Sequence, residues 1–201
     1  MDSSISRERL IQAGIEELET RGASGFSLRR VAQRCGVSCA APYKHFKDKH
    51  ELLRAIAIHY NDRWHAMLAE VIDSSAEDMT ARMKTVCETY LRFLMDNPTF
   101  CVLATQMDAE ASKWHLASLL GDASPTNALV QAYGRAHALT PEAARLKISL
   151  LRGQLFGIAM MVGAGELELT GDTTQRIYRE LNNAFLSYIP FRYWNSWGNM
   201  I

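Results

Sequence analysis

The stretch Phe26–Leu53, FSLRRVAQRCGVSCAAPYKHFKDKHELL, decides how the chain is read. Leu28, Val31, Ala32 and Cys35 stand at i, i+3, i+4 and i+7, the spacing of one apolar stripe on a helix, so one face of that helix is buried. Ser27 is placed to cap it by accepting a free N–H of the first turn, while Phe26 and Val31 can close as a hydrophobic staple. Gly36 can take the left-handed conformation that ends a helix cheaply; Val37 then supplies a core anchor and Ser38 a second N-cap. The intervening turn is only about three residues, as a helix-turn-helix requires. A second helix is expected over Cys39–His45, small at its start (Cys39, Ala40, Ala41) and aromatic and basic at its end (Tyr43, Lys44, His45). Pro42 falls in its first turn, where few N–H groups have intrahelical partners. Asp48, with Glu51 completing a capping box, opens a third helix.

Charge is distributed to match. The chain has 22 Lys and Arg against 22 Asp and Glu, but residues 1–65 hold eleven basic against eight acidic groups and the remainder eleven against fourteen. Within Phe26–Arg54 seven basic residues (Arg29, Arg30, Arg34, Lys44, Lys47, Lys49, Arg54) face two acidic ones, Asp48 and Glu51. Binding to a polyanion is largely electrostatic, so a basic island on a neutral chain is where phosphates would sit. The other reading of such an island is a solvated helix face.

The order F-S-L-R-x-V-A-x-x-x-G-V-S-x-A-A-P-Y-x-H-F-x-D-K-x-x-L-L resembles the N-terminal domain of the tetracycline-repressor (TetR) family of bacterial transcription regulators, over roughly Leu10–Ile56. The resemblance implies an all-α homodimer, with an N-terminal three-helix helix-turn-helix domain followed by a larger helical ligand-binding and dimerisation domain. It implies double-stranded DNA and a small-molecule effector as partners. By position, Tyr43, His45 and Lys49 match the family's phosphate contacts, Ser27 and Arg29 its second-helix contacts, and Ser38, Cys39, Ala40 and Ala41 its base-facing positions; Lys44 extends the set. Cys39, Ala40 and Ala41 depart from more polar versions and favour thymine-methyl contacts or shape readout.

In chain order, Ser4–Arg21 is an amphipathic helix with Leu10, Ile11, Gly14, Ile15 and Leu18 on one side and Arg7, Glu8, Gln12, Glu16 and Glu17 on the other, ended by Gly22 and Gly25. Asp48 to about Ile72 sustains a stripe through Leu53, Ile56, Ala57, Tyr60, Trp64, Met67, Leu68 and Val71, long enough to serve two domains. Asp73–Asp78 reads as a linker, with Ser74 and Glu77 as a capping box for a helix to Asn97. Phe100–Met107 reads as a short buried helix, Gly121–Pro125 as a loop and Pro125–His137 as a helix. Thr140-Pro141 starts a helix to about Ala164, and Asp172 with Gln175 opens the last, which carries Ile177, Leu181, Ala184, Phe185 and Tyr188 on one face. The expected division is 1–50 for the DNA-binding domain, 51–72 for a connecting helix, 73–190 for effector binding and dimerisation, and 191–201 for an aromatic tail.

The helices at about 141–164 and 173–189 are more apolar than one small core needs, which makes them the expected dimer interface; intramolecular core is the other reading of the same periodicity. For the effector, large apolar side chains that could line a cavity are Met67, Met83, Cys87, Tyr90, Leu94 and Phe100, followed by Leu103, Met107, Trp114, Tyr133 and Met160. They suit a mostly apolar ligand, although each also reads as core.

A length of 201 residues at 48% hydrophobic content supports a packed core. No basic-then-apolar leader is evident, and the longest apolar run, Ile148–Leu169, is broken by Arg152, Gln154, Glu166 and four glycines, so a cytoplasmic protein without a membrane span is expected. Cys35, Cys39, Cys87 and Cys101 are expected as thiols, with thiol sensing at Cys39 or Cys101 left open. No His, Cys or acid spacing suits a metal, and no cofactor is implied. Gly-x-Ser-x-Gly, phosphate-loop and His-Glu-x-x-His motifs are absent, which argues against an enzyme. The rival is a helical small-molecule-binding or interaction protein without DNA binding.

Overall fold

A computed structural model describes residues 5–74, 78–106 and 124–186, and every regular element among them is helical. The order is α1 (Arg7–Gly25), α2 (Leu28–Arg34), a 3-10 turn (Ala41–Lys44), α3 (Lys49–Ser74), α4 (Met79–Asp96), α5 (Pro98–Gln106), α6 (Pro125–Ala136), α7 (Pro141–Gly163) and α8 (Gly171–Leu186).

Local chemistry sets most boundaries. Thr140 Oγ1 accepts from Ala143 N at 3.2 Å with Pro141 in the first turn, so α7 starts where a cap followed by proline places it. Ser124 does the same for α6, accepting from Asn127 N at 3.1 Å. The first helix breaks at Gly22 as expected: φ 66° and ψ 177° are not helical, and only a short helical segment follows to Gly25. Two expectations need correction. The cap of α4 is Asp78, whose carboxylate accepts from Thr80 N and Ala81 N, rather than Ser74, to which α3 extends. The last helix starts at Gly171, with Thr170 Oγ1 accepting from Thr173 N at 3.2 Å, so Asp172 lies inside the first turn.

The core is continuous along α3. Its first half packs on α1, where Leu10, Leu52 and Ile56 are fully buried. Its second half meets α4, α5 and α6. An aromatic cluster forms there, with ring centroids of Trp64 and Tyr90 4.7 Å apart, Trp64 and Phe93 5.8 Å, and Tyr60 and Phe100 5.4 Å. Centroid distances of this range with tilted planes are the favourable arrangement for aromatic pairs. Helix α5 packs against α1 as well as α3, so it touches the N-terminal helices directly. Helix α7 lies on α4 and α6 through Ala144, Ile148, Leu151, Leu155 and Ala159. Its other side is open and apolar: Leu146 is 51% exposed, Leu150 53% and Met161 44%. By length and composition α7 could cross a membrane, the one such helix among the described residues. Expectations for Met107, Trp114, the loop before Ser124, the side chains of Leu181, Ala184 and Phe185, and residues 187–201 lie outside what the structure describes.

Candidate DNA-binding surface

Helix α2 is fixed at both ends and from behind. Ser27, in extended conformation, caps it by accepting from Arg30 N at 3.4 Å. At the other end Val37 N donates to Ala32 O at 3.0 Å and Gly36 N to Gln33 O at 3.1 Å, the two bonds of a Schellman motif, with Gly36 at φ 69°. Behind α2, Glu17 of α1 is buried; it accepts from Arg34 Nε and Nη2 and has Arg30 and Arg21 at 3.9 Å. This corrects the amphipathic reading of α1, which put Glu17 on the solvent side: helix α2 covers that side, and its arginines supply the counter-charge. Arg30 and Arg34 therefore serve the fold, and the basic island is carried outward by the remaining residues.

The element after the turn is not the helix expected over Cys39–His45. It is a single 3-10 turn, with Tyr43 N donating to Ala40 O at 3.2 Å and His45 N to Pro42 O at 3.0 Å. Pro42 has no N–H to offer, and Ser38 contributes its backbone carbonyl to Ala41 N rather than a side-chain cap. The turn is anchored by the buried Pro42 and Phe46, with the Arg7 guanidinium 5.1 Å from the Phe46 ring centroid. A reciprocal cap then launches α3: Glu51 N donates to Asp48 Oδ1 at 2.9 Å, and Lys47 N to Glu51 Oε2 at 2.6 Å. The capping bonds hold the Asp48 carboxyl below its ordinary pKa.

Most of the expected contact residues are exposed, on the turn and on the starts of α2 and α3 that flank it in sequence. Arg29, Ser38, Cys39, Ala40, Lys44 and Lys49 are exposed, and Tyr43 is 60% exposed, which is unusual for so large an aromatic group. Ser27 and His45 are half-buried, and Ala41 is half-buried against the core. A solvent-open hollow at the start of α2 is lined by Ser24, Gly25, Phe26, Ser27, Arg29, Arg30 and Gln33.

Residues 10–56 match the model of the bacterial regulatory proteins of the tetR family. In its N-terminal segment the chain is similar to that family. The tetracycline repressor protein class C of Escherichia coli is 42% identical over 55 residues, covering 27% of this chain and 25% of that protein. The matched segments span between a quarter and a half of the curated relatives' length. In fold the likeness to solved structures extends further. A Rhodococcus sp. RHA1 protein of unknown function aligns over 89% of this chain and 92% of its own, at a TM-score of 0.70 and 24% identity. The regulator FadR from Bacillus subtilis, solved in complex with stearoyl-CoA, covers 90% of this chain and 98% of its own, at a TM-score of 0.70 and 14% identity.

The residues expected to meet an effector fall into two groups. Met83, Cys87, Tyr90, Leu94, Phe100, Leu103 and Tyr133 are buried, and Met67 is half-buried against them. Met160 is apart, 37% exposed and next to Met161 on α7. Burial pushes the Cys87 thiol up to about 12 and the Cys101 thiol to about 11, so both are neutral and unreactive at physiological pH. Missed in the sequence was Arg152 on α7, which interacts with the Tyr90 hydroxyl. A stripe reading passes over it, because it lies one position off the line through Ile148, Leu151 and Leu155.

Proposed function

We propose that the chain is an effector-responsive DNA-binding transcriptional regulator, acting in the cytoplasm as a homodimeric repressor on a palindromic operator. The observation that carries this reading is the exposure of Arg29, Tyr43, Lys44 and Lys49 on and beside, in sequence, a 3-10 turn fixed by a Schellman motif and a reciprocal cap. Rigid backbone, exposed cations and small residues at Cys39 and Ala40 suit a protein edge that enters a major groove while its flanks hold phosphates.

The open face of α7 supports a homodimer. Leu146, Leu150 and Met161 recur along it with Gly153 and Gly157 between, and a Cβ at either glycine would meet nothing within 4 Å. An apolar stripe with small residues lets a second copy's helix approach closely, with α8 alongside. This accounts for the exposure of α7 without a membrane. Two copies would set their reading turns one DNA turn apart, about 34 Å. A mostly apolar small molecule bound among α3, α4 and α7 would then favour a conformer with a different separation and lower operator affinity by the same coupling factor.

The test is selection of bound duplexes from a randomised DNA pool, followed by salt titration of the enriched sites. A two-fold symmetric site with a steep salt slope is expected. Absence of enrichment, also after unfolding and refolding to strip any ligand, would favour a helical small-molecule-binding protein without DNA binding.

A further inference from the structure

Arg34 and Arg152 are both drawn out of full exposure, and they are treated differently. Arg34 is matched by the buried Glu17 carboxylate. Arg152 stands on α7 with its Nε buried and without a hydrogen-bond partner, and among the described residues no carboxylate lies within ion-pairing distance of it. What its guanidinium does meet is the hydroxyl of Tyr90 on α4, a residue 4% exposed whose ring packs on Trp64. Arg152 as a residue is half-buried, but its Nε is closed off from water, and a buried donor left unused costs free energy that the one neutral hydroxyl does not offset. Arg152 has five N–H donors in a planar fork, a geometry that matches a carboxylate through two parallel bonds. Burial raises the Tyr90 phenol pKa, with Arg152 opposing, so the hydroxyl keeps its proton and can donate to the same anion.

We propose that Arg152 and Tyr90 form the headgroup subsite of the effector site, and that the effector is an amphipathic carboxylate. Its anionic head pairs with the Arg152 guanidinium and accepts from Tyr90, while its apolar body lies among the large side chains around Tyr90. This rests on the effector reading above and narrows the ligand from mostly apolar to apolar with one acidic end.

The test uses the full chain and matched probes: octanoate, 4-phenylbutyrate and indole-3-acetate, each beside its primary amide. Calorimetric titration is expected to show at least one carboxylate bound about tenfold or more tighter than its amide. Arg152→Gln should abolish that preference and Arg152→Lys should retain part of it. Without ligand, Arg152→Met is expected to melt no lower than wild type, since a charge held for a ligand contributes nothing to the free protein. Equal binding of acids and amides, binding of no acid in the set, binding unaffected by Arg152→Gln, or a sharp loss of stability in Arg152→Met would each overturn the proposal. Carboxylates that bind through Arg152 and leave operator affinity unchanged would uphold the subsite and overturn release by effector. Amides that bind as well as acids and release the operator would do the reverse.

Discussion

Glu17 Oε2 accepts from Arg34 Nε at 3.3 Å and Nη2 at 3.2 Å, and through this pair α1 holds α2 from behind. The glutamate side chain is 4% exposed and the arginine 32%, so loss of the carboxylate leaves a cation that can still turn to water. Glu17→Ala should therefore cost about 1–3 kcal/mol, less than breaking a fully buried pair. Urea denaturation of Glu17→Ala, Arg34→Ala and the double variant measures the coupling; additive effects would show that the pair contributes nothing of its own.

At Gly36, φ is 69° and a Cβ would meet nothing within 4 Å, so the penalty for alanine is conformational and not steric. Gly36→Ala is expected to cost about 1–2 kcal/mol, and Gly36→Asn less, since asparagine tolerates the left-handed region better. Equal stability of the alanine variant and wild type would mean that the Schellman turn does not govern the end of α2.

On DNA, residues that touch phosphate and residues that face bases should separate. Tyr43→Ala and Lys49→Ala should weaken binding to all duplexes alike, and the lysine variant should lower the salt slope by about 1. Cys39→Ser or Ala40→Ser should instead change which sequences are enriched. Identical behaviour of all four would show that the reading edge lies elsewhere.

Along α7, Leu150 is 53% exposed on the open apolar side. Leu150→Glu should leave the fold intact and weaken self-association by about tenfold or more, seen by sedimentation as a shift from dimer to monomer. A variant still dimeric at the same concentrations would remove this face from the interface.

Cys39 is exposed, whereas Cys35, Cys87 and Cys101 are buried with thiols raised by burial. A thiol reagent should modify one cysteine per native chain quickly, and Cys39→Ser should abolish that phase. The raised thiols also set a pH dependence. The folded chain holds protons that the unfolded chain releases above the ordinary thiol value of 9.0, so stability is full below that value and falls as pH rises toward about 11 and 12. Chemical denaturation at pH 7 and pH 10 should show the loss, and constant stability would contradict it.

What could be read from the sequence was what depends on near neighbours. Ser27, Gly36 and Thr140 act on backbone groups within five residues, and each sits where its chemistry placed it. Ambiguity entered where two local signals compete. Ser74 and Asp78 are both fair caps, and only the continued packing of α3 to Ser74 decides between them. The 3-10 turn is hidden in the sequence because a proline in the first turn is compatible with an α-helix, while the missing N–H of Pro42 together with the buried Phe46 favours a tighter winding. Glu17 and Arg152 were passed over for one reason: each has a partner on a helix far away in sequence, and periodicity on its own helix assigns it to the wrong environment.

Helix α3 is one unbroken rod of 26 residues. Lys49 at its tip and Trp64 in the aromatic cluster are fifteen residues apart, about 22 Å along the axis. A tilt of about 5° pivoting at Trp64 moves the tip by about 2 Å, close to the spread between a hydrogen bond made and one lost. In a two-fold assembly the partner's tip swings by the same amount in the opposite sense, so the gap between them changes by up to twice that. Leverage of this kind requires only sub-ångström repacking beside the pivot, and it sets stiffness of the rod, more than the size of any cavity, as the quantity on which control of the reading edge depends.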